Sequence, residues 1–335
     1  TSWTSQTLLA KELRRAQAAE KRDGLRRAFR LNADDVAAEV EAYRKHVEET
    51  VERLGRSHVS VRTQYFSEEV DGEGGMFPTD RQARMRCDSP AETSPQPGRV
   101  YALLLDVAGE DEGKRDIEGS LKTANPARDC NALTLVTIQN RENPGVSEPN
   151  AAQPPAFRLV RRWQWKGLDH TRLHDEIRRV SLEWNARSLV VDATGVGAGL
   201  ASFLERSMPG RVIPFTFNSA SKSKMGWDFL SIVDSGRWQE PRFDPTGEPQ
   251  QSQYQQEFYR QLAACQFKVQ DGPGQRMSWS VPDGTRDPHT GQPVHDDWVL
   301  SAALCARLEE LDWLPASPAL IIPGEDPLKG MEGKF

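Results

Sequence analysis

Short, nearly continuous apolar runs recur along the chain from residue 100 onward. The first covers residues 100–107 and has the sequence Val-Tyr-Ala-Leu-Leu-Leu-Asp-Val. Runs of this length and composition are typical of buried β-strands. Further strands are predicted at 132–139, 156–165, 188–192 and 212–215.

Apolar residues also recur at helical spacing between and after these runs. Leu173, Ile177, Val180 and Trp184 share one helical face, which predicts a helix over 170–185. The same criterion predicts helices over 197–207, 222–235 and 251–262, and a last helix that starts at Asp296. The Asp-Gly-Pro-Gly segment that begins at Asp271 predicts the turn of a hairpin over 265–281.

The first 86 residues have a different pattern. We expect a charged helix followed by a short strand within 1–30, a helix over 34–54 and an extended segment over 59–70. Residues 87–99 are rich in Pro and Ser, so a linker and a domain boundary are predicted there. The Pro- and Gly-rich residues 315–335 are predicted to form a tail.

The order of these elements predicts an α/β fold over residues 100–314. Three consecutive strands without an intervening helix favour antiparallel pairing, whereas the later strand–helix–strand units favour parallel pairing. We therefore expect a mixed β-sheet flanked by helices on both faces. Two long polar segments, 109–129 and 140–155, interrupt the predicted strands, and loops of this length are often functional.

Composition narrows the class of protein. The formal charge is −6, so any surface that binds nucleic acid must be local. No apolar run is long enough to cross a membrane, and the polar start does not resemble a signal peptide. The 4 cysteines are scattered without a Cys-x-x-Cys pair, which argues against a cysteine zinc site and indicates a reducing cytosol.

Acidic residues occupy the ends of predicted elements. Asp106 ends the first strand, Asp192 ends the strand at 188–192, and Asp296 and Asp297 open the last helix. Carboxylates at one sheet edge suit hard cations such as Mg²⁺, and three of them fit a two-metal site for phosphodiester chemistry. Alternatively, each Asp serves only as a turn or cap residue, and Asp296 is well placed to cap its helix.

Two neighbouring features have competing interpretations. His295, directly before the paired acids, is a candidate metal ligand or proton shuttle, or neither. The Gly-rich turn over 192–199 could cradle a phosphate at a helix N-terminus. It matches no nucleotide-binding motif, so a tight turn that lets the helix pack close to the sheet explains it better.

Basic residues form two local groups. Arg161, Arg162 and Lys166 alternate with tryptophans at the end of a predicted strand, and Lys222 and Lys224 open a predicted helix. Both groups could neutralise DNA phosphates. The strand group fits an ordinary solvated face equally well, whereas substrate contact is favoured for the two lysines.

Four segments in a fixed order resemble a known family: YALLLDVAGEDEG, RSLVVDATGVGAGLASFL, VIPFTFNSASKSKMGWDFL and VHDDWVLSAALC. Residues 100–312 resemble the RNase H-like nuclease domain of the large terminase subunit of tailed bacteriophages. VRTQYFSEEVDGEGGMFP resembles the segment that joins the nuclease to a RecA-like ATPase domain. The resemblance implies that residues 1–86 are a small α/β remnant of that ATPase domain. No P-loop motif occurs, so no ATPase activity is expected of this chain alone.

The resemblance also implies a site and a task. Asp106, Asp192 and one of Asp296 and Asp297, with preference for Asp296, would bind Mg²⁺ or Mn²⁺, and Asp129 would be an outer acid. The implied activity is endonucleolytic cutting of concatemeric double-stranded viral DNA in the host cytoplasm. The implied partners are the portal protein and the small terminase subunit, with no membrane.

Two other functions remain compatible with the sequence. A resolvase or transposase of RNase H-like fold would use the same acids, and a non-catalytic DNA-binding motor module would use none of them.

Overall fold

A seven-stranded mixed sheet organises the part of the chain that contains the acidic residues. The computed structural model describes residues 8–29, 31–54, 56, 61–68, 73–108, 130–139, 154–270, 276–311 and 313. The strands described there are β1 (Glu73–Gly75), β2 (Arg86–Pro90), β3 (Val100–Asp106), β4 (Asn131–Gln139), β5 (Ala156–Trp165), β6 (Ser188–Asp192), β7 (Val212–Phe215), β8 (Trp238–Arg242), β9 (Gln266–Val269) and β10 (Met277–Ser280).

Helices from residue 79 onward cover both faces of this sheet. In chain order, the helices of the described residues are α1 (Leu8–Asp23), α2 (Ala33–Ala37), α3 (Glu41–Leu54), α4 (Thr79–Met85), α5 (His170–Glu183), α6 (Gly197–Ser207), α7 (Ser219–Asp234), α8 (Pro249–Ala264) and α9 (Asp297–Ala303). A short π-helical turn, Val61–Tyr65, follows α3, and a 3₁₀ helix, Leu304–Glu310, continues α9. In the described residues, no helix is long and apolar enough to cross a membrane.

The large sheet has the strand order β2-β8-β5-β4-β3-β6-β7. β3, β4 and β5 pair antiparallel. The pairs β3–β6, β6–β7, β5–β8 and β2–β8 are parallel. The mixed α/β architecture expected from the sequence is therefore confirmed, and the predicted strands at 188–192 and 212–215 have the observed bounds. The predicted hairpin is β9–β10, which pairs with β1 in a separate three-stranded sheet.

Side-chain alternation divides the large sheet between two hydrophobic cores. On β3, Leu103 and Leu105 join the core under α5 and α6, whereas Ala102 and Leu104 join the core under α7, α8 and α9. Asp106 follows the second series and therefore faces the α9 side. On β6, Val190 lies on the α9 side, so Asp192 faces that side as well.

The N-terminal predictions need three corrections. The predicted helix over 34–54 is divided into α2 and α3. The Asn32 side chain caps α2 by accepting hydrogen bonds from the backbone N–H groups of Asp34 and Asp35. The extended segment over 59–70 is instead helical at Val61–Tyr65, because Val61 and Phe66 pack against α2 and α3 in a small separate core. No strand follows α1 within 24–29.

Candidate metal centre

Asp106 and Asp192 lie side by side at the same edge of the sheet. β3 and β6 are adjacent parallel strands in which Leu105 is in register with Val191. Each Asp is the next residue of its strand, and neighbouring strands are about 4.8 Å apart. Both side chains are buried, with 7% of Asp106 and 8% of Asp192 exposed. Two strand ends thus bring together carboxylates that are far apart in sequence.

The Gly-rich turn after β6 holds Asp192 in place. The Asp192 Oδ1 atom accepts a hydrogen bond from the Thr194 backbone N–H at 2.8 Å. The Thr194 hydroxyl in turn accepts one from the Phe217 N–H at 2.8 Å. A Cβ atom at Gly197 would lie 2.3 Å from the Asp192 carbonyl oxygen, so only glycine lets α6 begin this close to the strand. These contacts favour the tight-turn interpretation of this segment.

The start of α9 adds two further acids. Asp297 is 4% exposed, and its Oδ2 atom accepts a hydrogen bond from the Cys130 N–H at 3.3 Å. Cys130 directly precedes β4, whose Ala132 pairs with Asp106. Asp296 occupies the position before the helix, is half-buried and makes no capping hydrogen bond through its side chain. We call Asp106, Asp192, Asp296 and Asp297 the acidic cluster.

Charge interactions within the acidic cluster are strongest around Asp106. Burial raises the pKa of the Asp106 carboxyl well above its ordinary value, and the charges of Asp297, Asp192 and Asp296 raise it further, in that order. Burial also raises the pKa of Asp192, whereas hydrogen bonds from Thr194 oppose this shift. The cluster therefore concentrates negative charge in a poorly hydrated place.

Among the described residues, Lys222 provides the positive charge that acts on the carboxylates of Asp106 and Asp192. Its charge lowers the pKa of both Asp106 and Asp192. Its ammonium lies 5.2 Å from the ring centroid of Trp279, and its carbonyl accepts a hydrogen bond from the Trp279 indole N–H at 2.8 Å. Trp279 belongs to β10, so the hairpin supports the start of α7 beside the acidic cluster.

The donor set of the acidic cluster suits a hard divalent cation. Carboxylate oxygens from β3, β6 and α9 are the ligand type that Mg²⁺ and Mn²⁺ prefer. Within the described ranges, no three His, Cys, Asp or Glu side chains already converge in ligand geometry. Like charges in a buried site repel one another, and a bound cation would remove that repulsion.

The remaining predicted basic residues lie in different environments. Lys224 is exposed and pairs with Asp228 at 2.7 Å and with Glu310 at 3.2 Å. Arg161 pairs with Glu248 at 2.5 Å. Lys166 is exposed directly after β5. Because Trp165 pairs with Asn131 at the start of β4, Lys166 lies on the sheet edge that carries Asp106.

The prediction that Arg162 contacts DNA is wrong. Its side chain is 1% exposed and forms two hydrogen bonds with Glu240, at 2.7 and 3.1 Å. A bulge in β5, where the pairing with β4 shifts between Leu135 and Val136, changes the alternation of side chains and turns Arg162 inward. The Arg162–Glu240 pair therefore belongs to the packing between β5, β8 and α8.

Other predicted residues are less central in the described structure. His295 is half-buried and lines a cavity of about 410 Å³ together with Asp296. Asp129 and the loops 109–129 and 140–153 lie outside the described residues, as does the tail over 315–335.

Sequence reasoning missed Asn131, which is 6% exposed. Its Oδ1 atom accepts a hydrogen bond from the Ala108 N–H at 3.1 Å and holds the chain just after Asp106. A polar residue directly before the apolar run of β4 was the available signal.

The amino-acid sequence matches known proteins of one kind. Residues 154–259 match the family model of the terminase RNaseH-like domain. The probable terminase ATPase subunit of Haemophilus phage HP1 is 25% identical over 134 residues, 39% of this chain and 20% of that protein. The terminase ATPase subunit of Escherichia phage P2 is 34% identical over 64 residues, 19% of this chain and 11% of that protein. The chain thus spans about a fifth or less of these curated relatives.

The fold also has a solved counterpart. The large terminase of a thermophilic bacteriophage superposes with a TM-score of 0.51 at 9% identity, over 93% of this chain and 62% of that chain. At this identity the likeness concerns the fold. Together with the sequence matches, this likeness shows that the chain is similar to large terminase subunits, with residues 154–259 matching the terminase RNaseH-like domain.

Proposed function

We propose that this chain is a metal-dependent DNA endonuclease and that its active site is the acidic cluster. The observation that carries the proposal is the meeting of buried carboxylates from β3, β6 and α9 around Asp106. Burying like charges together destabilises a fold unless a bound cation compensates them, so buried clusters of this kind are typical of functional sites. The match of residues 154–259 to the terminase RNaseH-like domain supports a nuclease rather than another use of the cluster.

Asp106, Asp192 and Asp297 would hold the metal ions. Two divalent ions, when bound, supply an activated water and stabilise the leaving oxygen of a phosphodiester. Asp297 is the better third ligand because it acts on Asp106 more strongly than Asp296 does and is more deeply buried. Asp296 and His295, which line the adjacent cavity, would act as auxiliary groups.

Lysines around the acidic cluster would bind the DNA backbone. Lys222 is held beside the carboxylates by Trp279, and Lys166 lies on the same sheet edge. The ion pairs of Lys224 are exposed and are worth only about 0–1 kcal/mol, so a phosphate can replace them. Such contacts hold DNA with little sequence preference, which suits cutting at many sites.

Similarity to terminase subunits supports the remaining parts of the proposal. The substrate would be concatemeric double-stranded viral DNA in the host cytoplasm, and the partners would be the portal protein and the small terminase subunit. Residues 1–86 would be the end of an ATPase domain, and translocation would require the rest of that domain.

Cleavage of supercoiled plasmid tests this function. Purified chain would be incubated with plasmid in Mg²⁺, in Mn²⁺ or in EDTA, with Asp106→Asn alongside. We expect metal-dependent open-circular and linear DNA from the wild type and none from the variant. Equal cleavage by Asp106→Asn would contradict the active-site assignment.

The same assay distinguishes the other functions considered above. Faster cutting of a four-way junction than of linear duplex would indicate a resolvase. Binding of DNA without cleavage in either metal, also in a longer chain that includes the complete ATPase domain, would indicate a non-catalytic module.

A further inference from the structure

Two buried hydroxyls connect α9 to the central strands beneath the acidic cluster. The Ser301 Oγ atom on α9 lies 2.9 Å from the Leu104 carbonyl oxygen of β3. The Thr134 Oγ1 atom on β4 lies 2.8 Å from the Ser301 Oγ atom. Both side chains are fully buried, at 0% exposure, in an otherwise apolar core.

The direction of these hydrogen bonds follows from counting protons. Each hydroxyl has one hydrogen to donate. The Leu104 carbonyl can only accept, so Ser301 donates its hydrogen to that carbonyl. Thr134 must then be the donor to the Ser301 oxygen. The result is a one-way chain of hydrogen bonds from β4 through α9 to β3, in which loss of the Ser301 hydroxyl would leave the buried Thr134 hydroxyl without its acceptor.

Ser301 and Leu104 are spaced from Asp297 and Asp106, the two carboxylates that interact most strongly, by similar distances along their elements. Ser301 lies four residues after Asp297, one turn along the same helical face, or about 6 Å. Leu104 lies two residues before Asp106 on the same strand face, or about 6.6 Å. Because the two spacings nearly match, fixing Ser301 against Leu104 brings Asp297 next to Asp106.

We propose that Ser301 and Thr134 are positioning residues that set the rotation and register of α9 and thereby hold Asp297 beside Asp106. The inference rests on the proposed function, in which these two acids share a metal site. Trp298, Val299, Ala302 and Ala303 bury α9 on several sides, but apolar packing is not directional. The two hydrogen bonds supply the direction and oppose the repulsion between the carboxylates.

The test compares variants that differ in the hydroxyls. Ser301→Ala removes both hydrogen bonds, and Thr134→Val removes one without changing the side-chain shape. Thr134→Ser retains the hydroxyl. Ser181→Ala is the matched control, since Ser181 is a buried helical serine, 2% exposed, on α5 beneath the other face of the sheet.

The main measurement is Mn²⁺ affinity by isothermal titration calorimetry. We expect about tenfold weaker binding in Ser301→Ala, a smaller loss in Thr134→Val and near wild-type affinity in Thr134→Ser and Ser181→Ala. The Mn²⁺ concentration for half-maximal cleavage should rise in parallel, while the rate at saturating Mn²⁺ stays close to that of the wild type. Equal Mn²⁺ affinity in Ser301→Ala and Ser181→Ala would overturn the inference.

Hydrogen exchange separates this inference from the proposed function. Amides of α9 should exchange faster in Ser301→Ala and Thr134→Val than in Ser181→Ala, with or without metal. A wild type that binds no Mn²⁺ would refute the proposed metal site, and the exchange of α9 would still decide whether the hydroxyls hold the helix. Unchanged exchange in both hydroxyl variants would refute the positioning role even if the chain cuts DNA.

Discussion

At the scale of single residues, Asp106 combines burial with the charges of three neighbouring acids. Its pKa is raised, so the folded chain binds this proton more tightly than the unfolded chain does. The linked contribution to stability is therefore present at low pH and is lost as the pH rises through the raised pKa. In metal-free buffer, ionisation of Asp106 therefore weakens the fold.

Asp106→Asn should consequently raise the melting temperature in EDTA while it abolishes cleavage. The amide keeps the shape of the side chain and removes the buried charge. Differential scanning calorimetry at neutral pH measures the effect, with Asp175→Asn as the control, because the Asp175 side chain is 74% exposed. A lower melting temperature for Asp106→Asn would contradict the electrostatic description of the cluster.

Asp296 and Asp297 are adjacent but should differ in function. Loss of an outer partner of a metal ligand costs about 10–100-fold, and loss of a ligand costs more. We therefore expect Asp297→Asn to lower the cleavage rate by more than about 100-fold and Asp296→Asn to lower it less. Single-turnover cleavage at saturating Mn²⁺ makes the comparison. The reverse order would assign the ligand role to Asp296, which the sequence favoured.

At the scale of elements, strands were predicted most accurately where the sequence contains a continuous apolar run. β3, β4, β6 and β7 follow such runs, whereas β5 also contains three arginines. The acids at the ends of β3 and β6 could be identified from sequence. β8 could not, because its sequence Trp-Gln-Glu-Pro-Arg is polar and is buried through the pairing of Glu240 with Arg162. β2 contains a proline, which an edge strand tolerates, and its composition resembles that of a linker.

Arg162 illustrates why site residues are harder to predict than strands. Its environment depends on a bulge in its own strand and on a Glu far away in sequence. The hydropathy pattern reveals neither the bulge nor the distant Glu. Asp297 has the same limitation, because its burial depends on how α9 lies against β3 and β4 rather than on its own neighbours in the chain.

The junction between β6 and α6 can be tested with two glycines of one helix. An added Cβ at Gly197 would lie 2.3 Å from the Asp192 carbonyl, whereas at Gly199 it would meet nothing within 4 Å. Gly197→Ala should displace Asp192 or the start of α6 and lower both the melting temperature and cleavage. Gly199→Ala should leave cleavage intact and stabilise the chain by about 0.5–1 kcal/mol. Equal melting temperatures for the two variants would contradict the close approach.

At the scale of the whole molecule, the segment before the nuclease region is part of its packing. Met76, Phe77 and Met85 are buried in the core under α7, α8 and α9. Arg81 on α4 forms two hydrogen bonds with Asp234 on α7, at 2.7 and 3.0 Å. We therefore propose that the folding unit begins near residue 73 rather than at residue 100, where the linker composition suggested.

Two truncations test this boundary. The fragment 73–335 keeps β1, α4 and β2, whereas the fragment 100–335 removes them and exposes the apolar surface that they cover. We expect 73–335 to unfold cooperatively near the temperature of the full chain, and 100–335 to melt lower or aggregate. Circular dichroism and light scattering report both outcomes. Equal stability of the two fragments would restore the boundary suggested by the sequence.

Locating the bound metal ions by anomalous scattering tests the active-site assignment directly. Crystals soaked in Mn²⁺ would be measured at the manganese absorption edge, and the anomalous difference map would locate the ions. We expect peaks within bonding distance of the carboxylates of Asp106, Asp192 and Asp297, and none at these positions in Asp106→Asn crystals. A chain that cuts DNA in Mn²⁺ but has its anomalous peaks away from these three carboxylates would contradict this assignment.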